Sequence, residues 1–390
     1  MKERSKHKIA IFMPYDALIF SPSLINAITL LRKSGYLVDL VLPKGNQLYS
    51  SNVFMDNGVN FIYYYYYKNE GLWEILKSRI HFFLVSFSKC HKNEYKCFFG
   101  IDVYGLIVAS LMSVFNKAPV VYFSTELTLS VDNLWRKYSI RYYLYKLRKS
   151  LEMLCHHFSV FTIIQDEERA RILAIDNKVK VDNMLIVPNS SFDAPRATDT
   201  HWWHTFYSIA DHKKIILHEG TIDDWTCCYE LAMVALSWSD EFVLIIHGKV
   251  EKESYLQKIK SLIGDAKKVF LSVEVFPYEK LDLLISSACI GIALYKNLNM
   301  NHYVMSSGKI SHYLRCGLPV IAQRFPSIES IIVKNNCGVC VENCNEVESA
   351  IHTILNNYQE FSLNAKKFYS QKLDFKYSFT AVIEKIDRLQ

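Results

Sequence analysis

The sequence predicts an α/β fold with two tandem Rossmann-like domains that face each other across a cleft. Short apolar runs alternate with longer amphipathic stretches, which is typical of strands and helices in a parallel sheet. A polar segment interrupts this alternation once, and the alternation then restarts. A chain of 390 residues is also too long for one hydrophobic core. Such folds bind ligands beyond the carboxyl ends of their strands, so the cleft is the expected binding site.

The first domain is expected to span residues 1–187. Its strands are predicted at 8–13, 37–42, 63–66, 96–101, 119–123 and 160–165, and its helices at 22–34, 72–88 and 104–115. The tyrosine run at 63–67 fits a strand with aromatic residues on both faces, which favours a packing role.

The polar segment at residues 188–213 contains two prolines and is expected to be a linker with one short helix. The second domain is expected to span 214–372. Its strands are predicted at 214–218, 242–247, 269–273, 289–294 and 318–322, and its helices at 229–237, 253–263, 278–287 and 309–316. The last residues, 373–390, are expected to form a helix that returns to the first domain.

Composition limits the possible functions. Half of the residues are hydrophobic and 22% are charged, as in folded globular proteins. The 45 basic and 39 acidic residues give a net charge of +6, which favours anionic ligands but is too small to indicate a nucleic-acid partner. No apolar run is long enough to span a membrane, and no export signal is recognisable. The ten cysteines are therefore expected to be reduced thiols in the cytoplasm.

The most specific stretch is residues 306–321, SSGKISHYLRCGLPVI. It predicts a polar loop, a helix that ends at a glycine, and a buried strand. Ser306, Ser307 and Gly308 would present backbone N–H groups at the amino end of the helix, where the helix dipole favours an anion. Lys309 adds a positive charge. The pattern favours a phosphate site, and an ordinary helix cap beside a solvated lysine is the alternative.

Within this stretch, Lys-x3-Tyr-Leu-x2-Gly-Leu-Pro-Val-Ile resembles the donor-binding segment of GT-B fold glycosyltransferases, particularly bacterial enzymes of family 4. The resemblance extends to residues 276–292 before the motif and 326–339 after it. It also includes 164–167 and 187–189 at the end of the first domain. Most of the chain is covered, although only the central motif is individually specific.

The resemblance implies that the second domain binds a nucleotide sugar as substrate, with no cofactor and no metal ion. Lys309 and the neighbouring N–H groups would stabilise negative charge on the departing phosphate. The sequence also lacks an Asp-x-Asp pair that would hold a divalent ion on a diphosphate. The implied donor-binding residues are Gly220, Thr221, His247, Gly248, Tyr295, Ser306, Ser307, Gly308, Lys309, His312 and Glu329.

Two departures from the family pattern concern charged residues. The family often carries two glutamates seven residues apart, and the matching positions here are Val304 and His312. His312 is therefore expected to hold the ribose hydroxyls by hydrogen bonding, unless the nucleotide is bound differently. Beyond Gly220, where the family often places Arg and Lys, the sequence has Asp223–Trp225.

The first domain offers two carboxylates at strand ends. Asp102 and Glu126 each follow a predicted strand, and either side chain is a candidate general base for an acceptor hydroxyl. Glu126 is the stronger candidate, and a capping or solvated carboxylate is the alternative for each. Pro14, Tyr15 and Ser21 follow the first strand and are expected to line the acceptor side of the cleft.

Residues 135–149 interleave basic with aromatic side chains, which is typical of a helix on an anionic membrane surface. A surface helix whose tyrosines pack inward is the alternative. Enzymes similar to this one often act on lipid-linked acceptors, which favours a peripheral membrane contact.

Three further groups are interpreted as packing or surface features. Cys337-x2-Cys340-x3-Cys344 lacks a fourth zinc ligand at a matching spacing. The histidines at 201–204 and 156–157 have no carboxylate partner at a metal-site spacing.

We therefore expect a glycosyltransferase that moves a sugar from a nucleotide sugar to a hydroxyl of a surface glycan or of a lipid-linked acceptor, in the cytoplasm or at the inner face of the membrane. Lys309, Glu126 and Asp102 are the expected catalytic residues. A nucleotide-sugar epimerase on the same two domains is one alternative. The other is a degenerate protein that serves as a partner subunit or glycan-binding module, suggested by Val304 and His312.

Overall fold

The computed structural model describes residues 7–15, 22–44, 58–66, 71–130, 139–193, 195, 201–274, 276 and 280–389. The chain divides into two units. The first comprises Met1–Pro188 and Phe375–Gln390, and the second comprises Asn189–Asp374. Each unit contains one parallel sheet with helices packed around it, which confirms the predicted α/β class.

The first unit has a seven-stranded sheet with the order β3-β2-β1-β4-β5-β6-β7. Its strands are β1 (Lys8–Phe12), β2 (Leu37–Pro43), β3 (Val59–Tyr64), β4 (Cys97–Ile101), β5 (Val120–Phe123), β6 (Ser159–Ile164) and β7 (Met184–Ile186). All neighbouring strands are parallel. Strands β4 and β5 are apolar and buried along their whole length, as expected where helices cover both faces of a sheet.

Five helices of the first unit precede the second unit in the chain. They are α1 (Pro22–Lys33), α2 (Leu72–Cys90), α3 (Asp102–Asn116), α4 (Ile140–His157) and α5 (Glu167–Asn177). Helix α3 packs against both α2 and α4, so these three helices form one layer. The side chains of Ser139 and Asp166 cap α4 and α5, each by accepting a backbone N–H of the first helical turn.

Two glycines bring the start of α3 against the sheet. A Cβ atom on Gly105 would lie 2.3 Å from the carbonyl oxygen of Phe12. A Cβ atom on Gly100 would lie 2.4 Å from the Cα of Leu106. Since no side chain fits at either position, β1, β4 and α3 meet through their backbones. This close packing fixes the position of Asp102, the first residue of α3.

The predicted tyrosine strand at 63–66 corresponds to β3, which begins earlier and ends at Tyr64. Tyr64 is buried, as the packing interpretation expects, whereas Tyr65 is 58% exposed. Tyr67 lies outside the described residues.

The second unit has a six-stranded parallel sheet with the order β10-β9-β8-β11-β12-β13. Its strands are β8 (Lys214–Glu219), β9 (Phe242–His247), β10 (Val269–Ser272), β11 (Ile290–Ala293), β12 (Val320–Gln323) and β13 (Gly338–Val341). Its helices are α6 (Trp202–Tyr207), α7 (Cys228–Ala235), α8 (Glu253–Ile263), α9 (Leu281–Ser286), α10 (Met300–Tyr303), α11 (Gly308–Arg315), α12 (Pro326–Ile332), α13 (Val347–Asn356) and α14 (Tyr358–Phe368). A π-helical turn, Tyr369–Leu373, follows α14.

The structure corrects the predicted linker at 188–213 and the predicted start of the second domain at 214. The chain belongs to the second unit from Asn189 onward. Trp203 of α6 is fully buried in the apolar core of this unit, and its Nε1–H donates to the Leu284 carbonyl at 2.8 Å. A single buried anchor within a polar segment leaves no periodic pattern, so composition alone indicated a linker.

The last helix, α15 (Phe375–Asp387), belongs to the first unit and packs against α1 and β7. Its buried residues, Phe375, Phe379, Val382 and Ile386, recur at helical spacing. Residues 373 and 374, expected in the same segment, belong to the second unit. The first unit is therefore made of two chain segments that are separated in sequence by the second.

We expect Trp203→Ala to lower the free energy of unfolding by about 3–5 kcal/mol, because it removes a buried indole and the hydrogen bond that its Nε1–H donates to the Leu284 carbonyl. Met233→Ala is the control, since this α7 side chain is 49% exposed. Denaturant titration of the full chain, followed by circular dichroism, measures both. Equally small losses for the two variants would contradict the role of α6 as a core element.

Candidate functional site

The predicted site residues gather at the switch point of each sheet, where strand order changes direction. In the first sheet β1 lies between β2 and β4, so the residues after β1 and β4 flank this point. Tyr15 and Asp102 occupy those positions. In the second sheet β8 lies between β9 and β11, and the switch point lies between β8 and β11. Gly220 follows β8, and Tyr295 follows β11.

Asp102 is buried and accepts four hydrogen bonds. Its Oδ1 accepts the backbone N–H groups of Thr125 at 2.6 Å and Glu126 at 3.0 Å. Its Oδ2 accepts the hydroxyls of Thr125, at 2.7 Å, and Tyr15. Burial raises the pKa of Asp102, and these hydrogen bonds, that from Tyr15 foremost, oppose the shift. A carboxylate engaged in this way orients its neighbours.

The backbone at Asp102 is strained. Its φ of 48° lies in the left-handed region, which Asp tolerates better than most residues but at a cost of about 1–3 kcal/mol. In this conformation the carboxylate accepts hydrogen bonds from the loop after β5. Asp102 is therefore better suited to positioning this loop than to taking a proton from a substrate.

Glu126 is the candidate base that the structure leaves accessible. Its side chain is exposed, while its backbone N–H is held by Asp102. Partial burial of the carboxyl group raises the pKa of Glu126, Arg169 opposes the shift, and Asp102 adds to it. The Arg169 guanidinium also donates to the Thr125 carbonyl at 2.9 Å, so it holds the same loop.

Of the three residues expected on the acceptor side, the structure describes Pro14 and Tyr15. The carbonyl of Pro14 accepts a hydrogen bond from Arg79 Nη1 at 2.8 Å, and Tyr15 adjoins Asp102 as described above. Ser21 lies outside the described residues.

In the second unit, two glycine loops meet at the ends of β8 and β9. Gly220 has a φ of 118° and Gly248 a φ of 150°, which other residues rarely adopt. A Cβ atom on Gly248 would lie 1.6 Å from the Gly220 carbonyl oxygen. The Gly220 N–H donates to the His247 carbonyl at 2.9 Å, so the loops after β8 and β9 form one surface. Thr221 continues this surface and accepts the Thr226 hydroxyl through its carbonyl.

Lys309 faces this glycine surface from the first turn of α11. A Cβ atom on Gly220 would lie 3.3 Å from the Lys309 Nζ, and that Nζ lies 3.4 Å from His218 Nε2. Burial lowers the pKa of Lys309, and the nearby Glu219 carboxylate opposes the shift. Within the described part of the chain, no carboxylate forms an ion pair with Lys309. Among those residues Lys309 therefore has no direct ion-pair partner, although the Glu219 carboxylate is close enough to favour its charged form.

Among the described residues, no side chain caps the amino end of α11. The Ser307 hydroxyl does not cap the helix and lies 2.5 Å from the hydroxyl of Tyr295. The Lys309 Nζ lies 5.2 Å from the centre of the Tyr295 ring. Ser306 contacts the Asn189 side chain through its carbonyl at 3.4 Å. Open backbone N–H groups and one ammonium at a helix start are what a phosphate group binds.

Three residues that the resemblance did not supply also shape this site. Trp225 stacks on Tyr295 with a centroid distance of 5.8 Å and on His302 at 5.2 Å. Lys296, directly after Tyr295, pairs with Asp224 at 2.8 Å and with Glu230 at 2.7 Å. Asp224 and Trp225, which stand where the resembling family often has Arg and Lys, therefore make contacts within the second unit. These contacts join residues far apart in sequence, and no local signal predicts them.

His247, Glu329 and His312 are held by other partners. The Nδ1 of His247 lies 2.9 Å from the Ser272 hydroxyl, and burial lowers the pKa of His247 to about 4, which keeps the ring neutral. Glu329 forms an ion pair with Arg324.

His312 is buried, with its Nε2 at 3.1 Å from the Ser191 hydroxyl. This contact directs the ring to the chain segment after Asn189. The structure therefore gives no support to the ribose-binding role, and Val304, the other position of the family's acidic pair, is a buried core residue.

Some of the cysteines and histidines that the sequence analysis interpreted as packing features, and not as metal ligands, are seen in packing contacts. Cys337 is fully buried and Cys340 lies in β13. His156 bonds the hydroxyl of Thr162 inside the first unit. Across the residues that the structure describes, no three His, Cys, Asp or Glu side chains are arranged to hold a metal ion. None of the helices described above has the length and apolar character that a membrane span requires.

The carboxyl-terminal part of the chain matches a family model. The model describes the glucosyltransferase 3-like C-terminal domain and matches residues 265–385. A comparison with curated protein sequences gives no match.

Solved structures share the fold over nearly the whole chain. HepE from Anabaena, in complex with UDP and glucose, has a TM-score of 0.73 at 14% identity, covering 98% of this chain and 100% of HepE. Sucrose-phosphate synthase from Thermosynechococcus elongatus has a TM-score of 0.76 at 14% identity, with 98% and 99% covered. A putative UDP-N-acetylglucosamine 2-epimerase from Listeria monocytogenes has 0.64 at 9% identity, with 98% and 96% covered. These likenesses establish the GT-B fold.

His312 provides a pH-dependent prediction. Burial, reinforced by Arg315, lowers the pKa of His312 to about 4, whereas an unfolded histidine titrates near 6.5. As the pH falls from 7 to 5, the unfolded chain takes up a proton that the folded chain refuses, so stability falls. His312→Gln should reduce this loss by about 2 kcal/mol. Denaturant titrations at both pH values measure it, and the exposed His212→Gln is the control. An unchanged loss in His312→Gln would contradict a buried neutral imidazole.

Proposed function

We propose that this chain is a glycosyltransferase that moves a sugar from a nucleotide sugar to a hydroxyl of a surface glycan or of a lipid-linked acceptor. One observation carries the proposal: the half-buried Lys309 ammonium faces a glycine surface and an open helix start, and no carboxylate of the described residues pairs with it. A diphosphate supplies the missing charge. The family model over residues 265–385 supports a sugar donor, and the UDP bound to HepE favours a uridine nucleotide.

In this proposal the second unit holds the donor diphosphate. The backbone N–H groups at the start of α11 and Lys309 contact the phosphate oxygens, while Gly220 and Gly248 let the phosphates approach the backbone. When the bond to the sugar breaks, these fixed donors stabilise the charge that develops on the departing phosphate. A single donor of this type typically contributes a factor of about 10²–10³ to the rate. Since these groups supply the charge, the proposed mechanism needs no metal ion.

The first unit is proposed to hold the acceptor. Glu126 is exposed and its pKa is raised, which brings its basicity closer to that needed to accept a proton near neutral pH. Asp102, Thr125 and Arg169 position its loop. Peripheral membrane contact through residues 135–149 belongs to the same proposal, although Tyr145 and Lys149 are buried and cannot take part.

The alternative of a catalytically degenerate protein is suggested by Val304 and His312, which stand where the resembling family often has two glutamates. Val304 is buried and apolar, and His312 is engaged with Ser191, so neither replaces a carboxylate in function. A protein of this kind would bind a partner or a glycan without turnover. An epimerase would instead release an altered free sugar without any acceptor, and product analysis separates it from a transferase.

Donor binding is tested by thermal unfolding with uridine, guanosine, cytidine, adenosine and thymidine diphosphates and cytidine monophosphate. A ligand that binds only the folded chain raises the midpoint. We expect one nucleotide, UDP first, to raise it, and we expect Lys309→Ala to abolish the shift. The exposed Lys260→Ala, on α8, should retain it. Because the pKa of Lys309 is lowered, the wild-type shift should shrink as pH rises through that pKa.

No shift with any nucleotide, or an equal loss in Lys260→Ala, would refute the donor site. The first result would favour the degenerate alternative.

Glu126→Gln tests the acceptor side. We expect kcat to fall by about 10²–10⁴-fold because the amide cannot accept the proton, while the nucleotide-induced thermal shift remains. Glu168→Gln, on the exposed side of α5, is the matched control. Sugar transfer from the identified donor to a hydroxyl-bearing glycan measures kcat. Full activity in Glu126→Gln would exclude this residue as the base.

A further inference from the structure

Two cysteines that are far apart in sequence meet in the second unit. Cys227 ends the loop after β8 and directly precedes α7. Cys344 begins a short 3₁₀ turn, Cys344–Glu346, that follows β13. Helix α7 contacts this turn, and the Cys227 thiol forms a hydrogen bond with the Cys344 sulfur. The two sulfur atoms are therefore neighbours, as the formation of a disulfide requires.

The fold directs Cys344 away from the cysteine that is nearest to it in sequence. Alternate residues of β9 belong to two apolar clusters, which therefore lie on opposite faces of the second sheet. Cys340 belongs to the cluster that contains Trp203. Cys227 belongs to the other cluster, and Cys344 packs against it. The partner of Cys344 is therefore Cys227 and not Cys340.

The two thiols differ in reactivity. The hydrogen bond from Cys227 lowers the pKa of Cys344, burial opposes this shift, and the Lys296 ammonium also favours the thiolate. The same hydrogen bond and burial raise the pKa of Cys227. Cys344 is half-buried, whereas Cys227 is only 8% exposed. Since the thiolate is the nucleophile, we expect Cys344 to react first with an oxidant.

The other eight cysteines have the opposite character. Burial raises the pKa of each of them. Two of them belong to or pack against the same cluster as Cys227: Cys228 is fully buried, and Cys289 is half-buried like Cys344. Neither the apolar cluster nor the degree of exposure alone distinguishes Cys344. Its contact with a second thiol does.

We propose that Cys344 and Cys227 form a site of reversible oxidation, which a peroxide converts to a disulfide. The Cys344 thiolate attacks one peroxide oxygen, the O–O bond breaks, and hydroxide leaves, so Cys344 becomes a sulfenic acid. The Cys227 sulfur then attacks the Cys344 sulfur and displaces hydroxide, which leaves as water with the Cys227 proton. The two thiols are oxidised and the peroxide is reduced. A dithiol reverses the reaction by exchange.

The disulfide would join the loop after β8 to the turn after β13. Trp225, two residues before Cys227, stacks on Tyr295 and His302. The bond would therefore restrain the loop that carries this aromatic stack. The proposal does not depend on the proposed sugar transfer, because the oxidation needs neither a nucleotide nor an acceptor.

Peptide mapping of the full-length folded chain tests the proposal. The chain is treated with stoichiometric hydrogen peroxide, alkylated, digested with trypsin and analysed by mass spectrometry. We expect the peptides 215–249 and 335–366 to become linked with the loss of two hydrogen atoms, and dithiothreitol to separate them. Fragmentation of the linked peptides assigns the two cysteines in the wild-type chain, so this result requires no variant.

Serine variants provide the matched comparison. Cys227→Ser and Cys344→Ser should each abolish the linkage. Cys228→Ser and Cys289→Ser are the controls and should retain it, because these cysteines belong to or pack against the same cluster but do not take part in the proposed reaction. Circular dichroism verifies that each variant is folded.

Dimedone, which labels sulfenic acids, separates the roles of the two thiols. In Cys227→Ser the reaction should stop at the sulfenic acid of Cys344, which dimedone then labels. In Cys344→Ser the raised pKa of Cys227 should leave this residue unlabelled. Labelling of Cys227 in place of Cys344 would contradict the proposed order of the two steps.

Four results would overturn the proposal. They are no linkage in the wild-type chain, linkage that persists in Cys227→Ser or Cys344→Ser, linkage of Cys344 to Cys340, and linkage between two chains. Oxidation in denaturant gives a further test. The unfolded chain should form mixed pairings among its ten cysteines. An equal yield of the Cys227–Cys344 linkage there would show that the fold does not select this pair.

Discussion

The proposed donor site of the second unit depends on one buried tyrosine. Tyr313 of α11 is fully buried and accepts the Glu219 N–H at 2.8 Å through its hydroxyl. The same hydroxyl lies 3.2 Å from the Leu217 carbonyl and 3.3 Å from the Ile292 carbonyl, so it joins α11 to both strands that flank the switch point. A Cβ atom on Gly291 would lie 2.3 Å from its ring. The position of Lys309, four residues earlier on the same helix, follows from this contact.

The elements that could be predicted from the sequence are those with a regular pattern of hydrophobicity. Strand β9 and helix α8 occur at the predicted residues, because a buried run and an amphipathic period are local properties. Strands β7 and β13 were missed, since each has only a few residues and no period. The short helix expected in the linker is present as α6, but its packing was not foreseen: Trp203 lies in the apolar core, and Trp202 and Tyr207 pack against it.

The candidate site shows the same division. Lys309 could be predicted because a helix start and a cation adjoin in sequence. The stacking of Trp225 on Tyr295 and His302 could not, since these residues are far apart in sequence and the fold brings them together. The sequence also did not indicate that Lys149, within the basic and aromatic stretch, is buried, because its partner Asp176 is distant in sequence. A sequence motif gives the order of residues and not the direction of a side chain, so the contact of His312 with Ser191 could not be predicted from it.

The position of α15 determines which unit can be completed first during translation. The first unit lacks this helix until the whole second unit has been translated, because Phe375–Asp387 follows the second unit in the sequence. Until then the apolar surfaces of α1 and β7 that α15 covers are open to solvent. Domains usually fold as they emerge from the ribosome, amino-terminal first. Here the amino-terminal unit is completed last, so a nascent chain must tolerate an unfinished first domain while the second one folds.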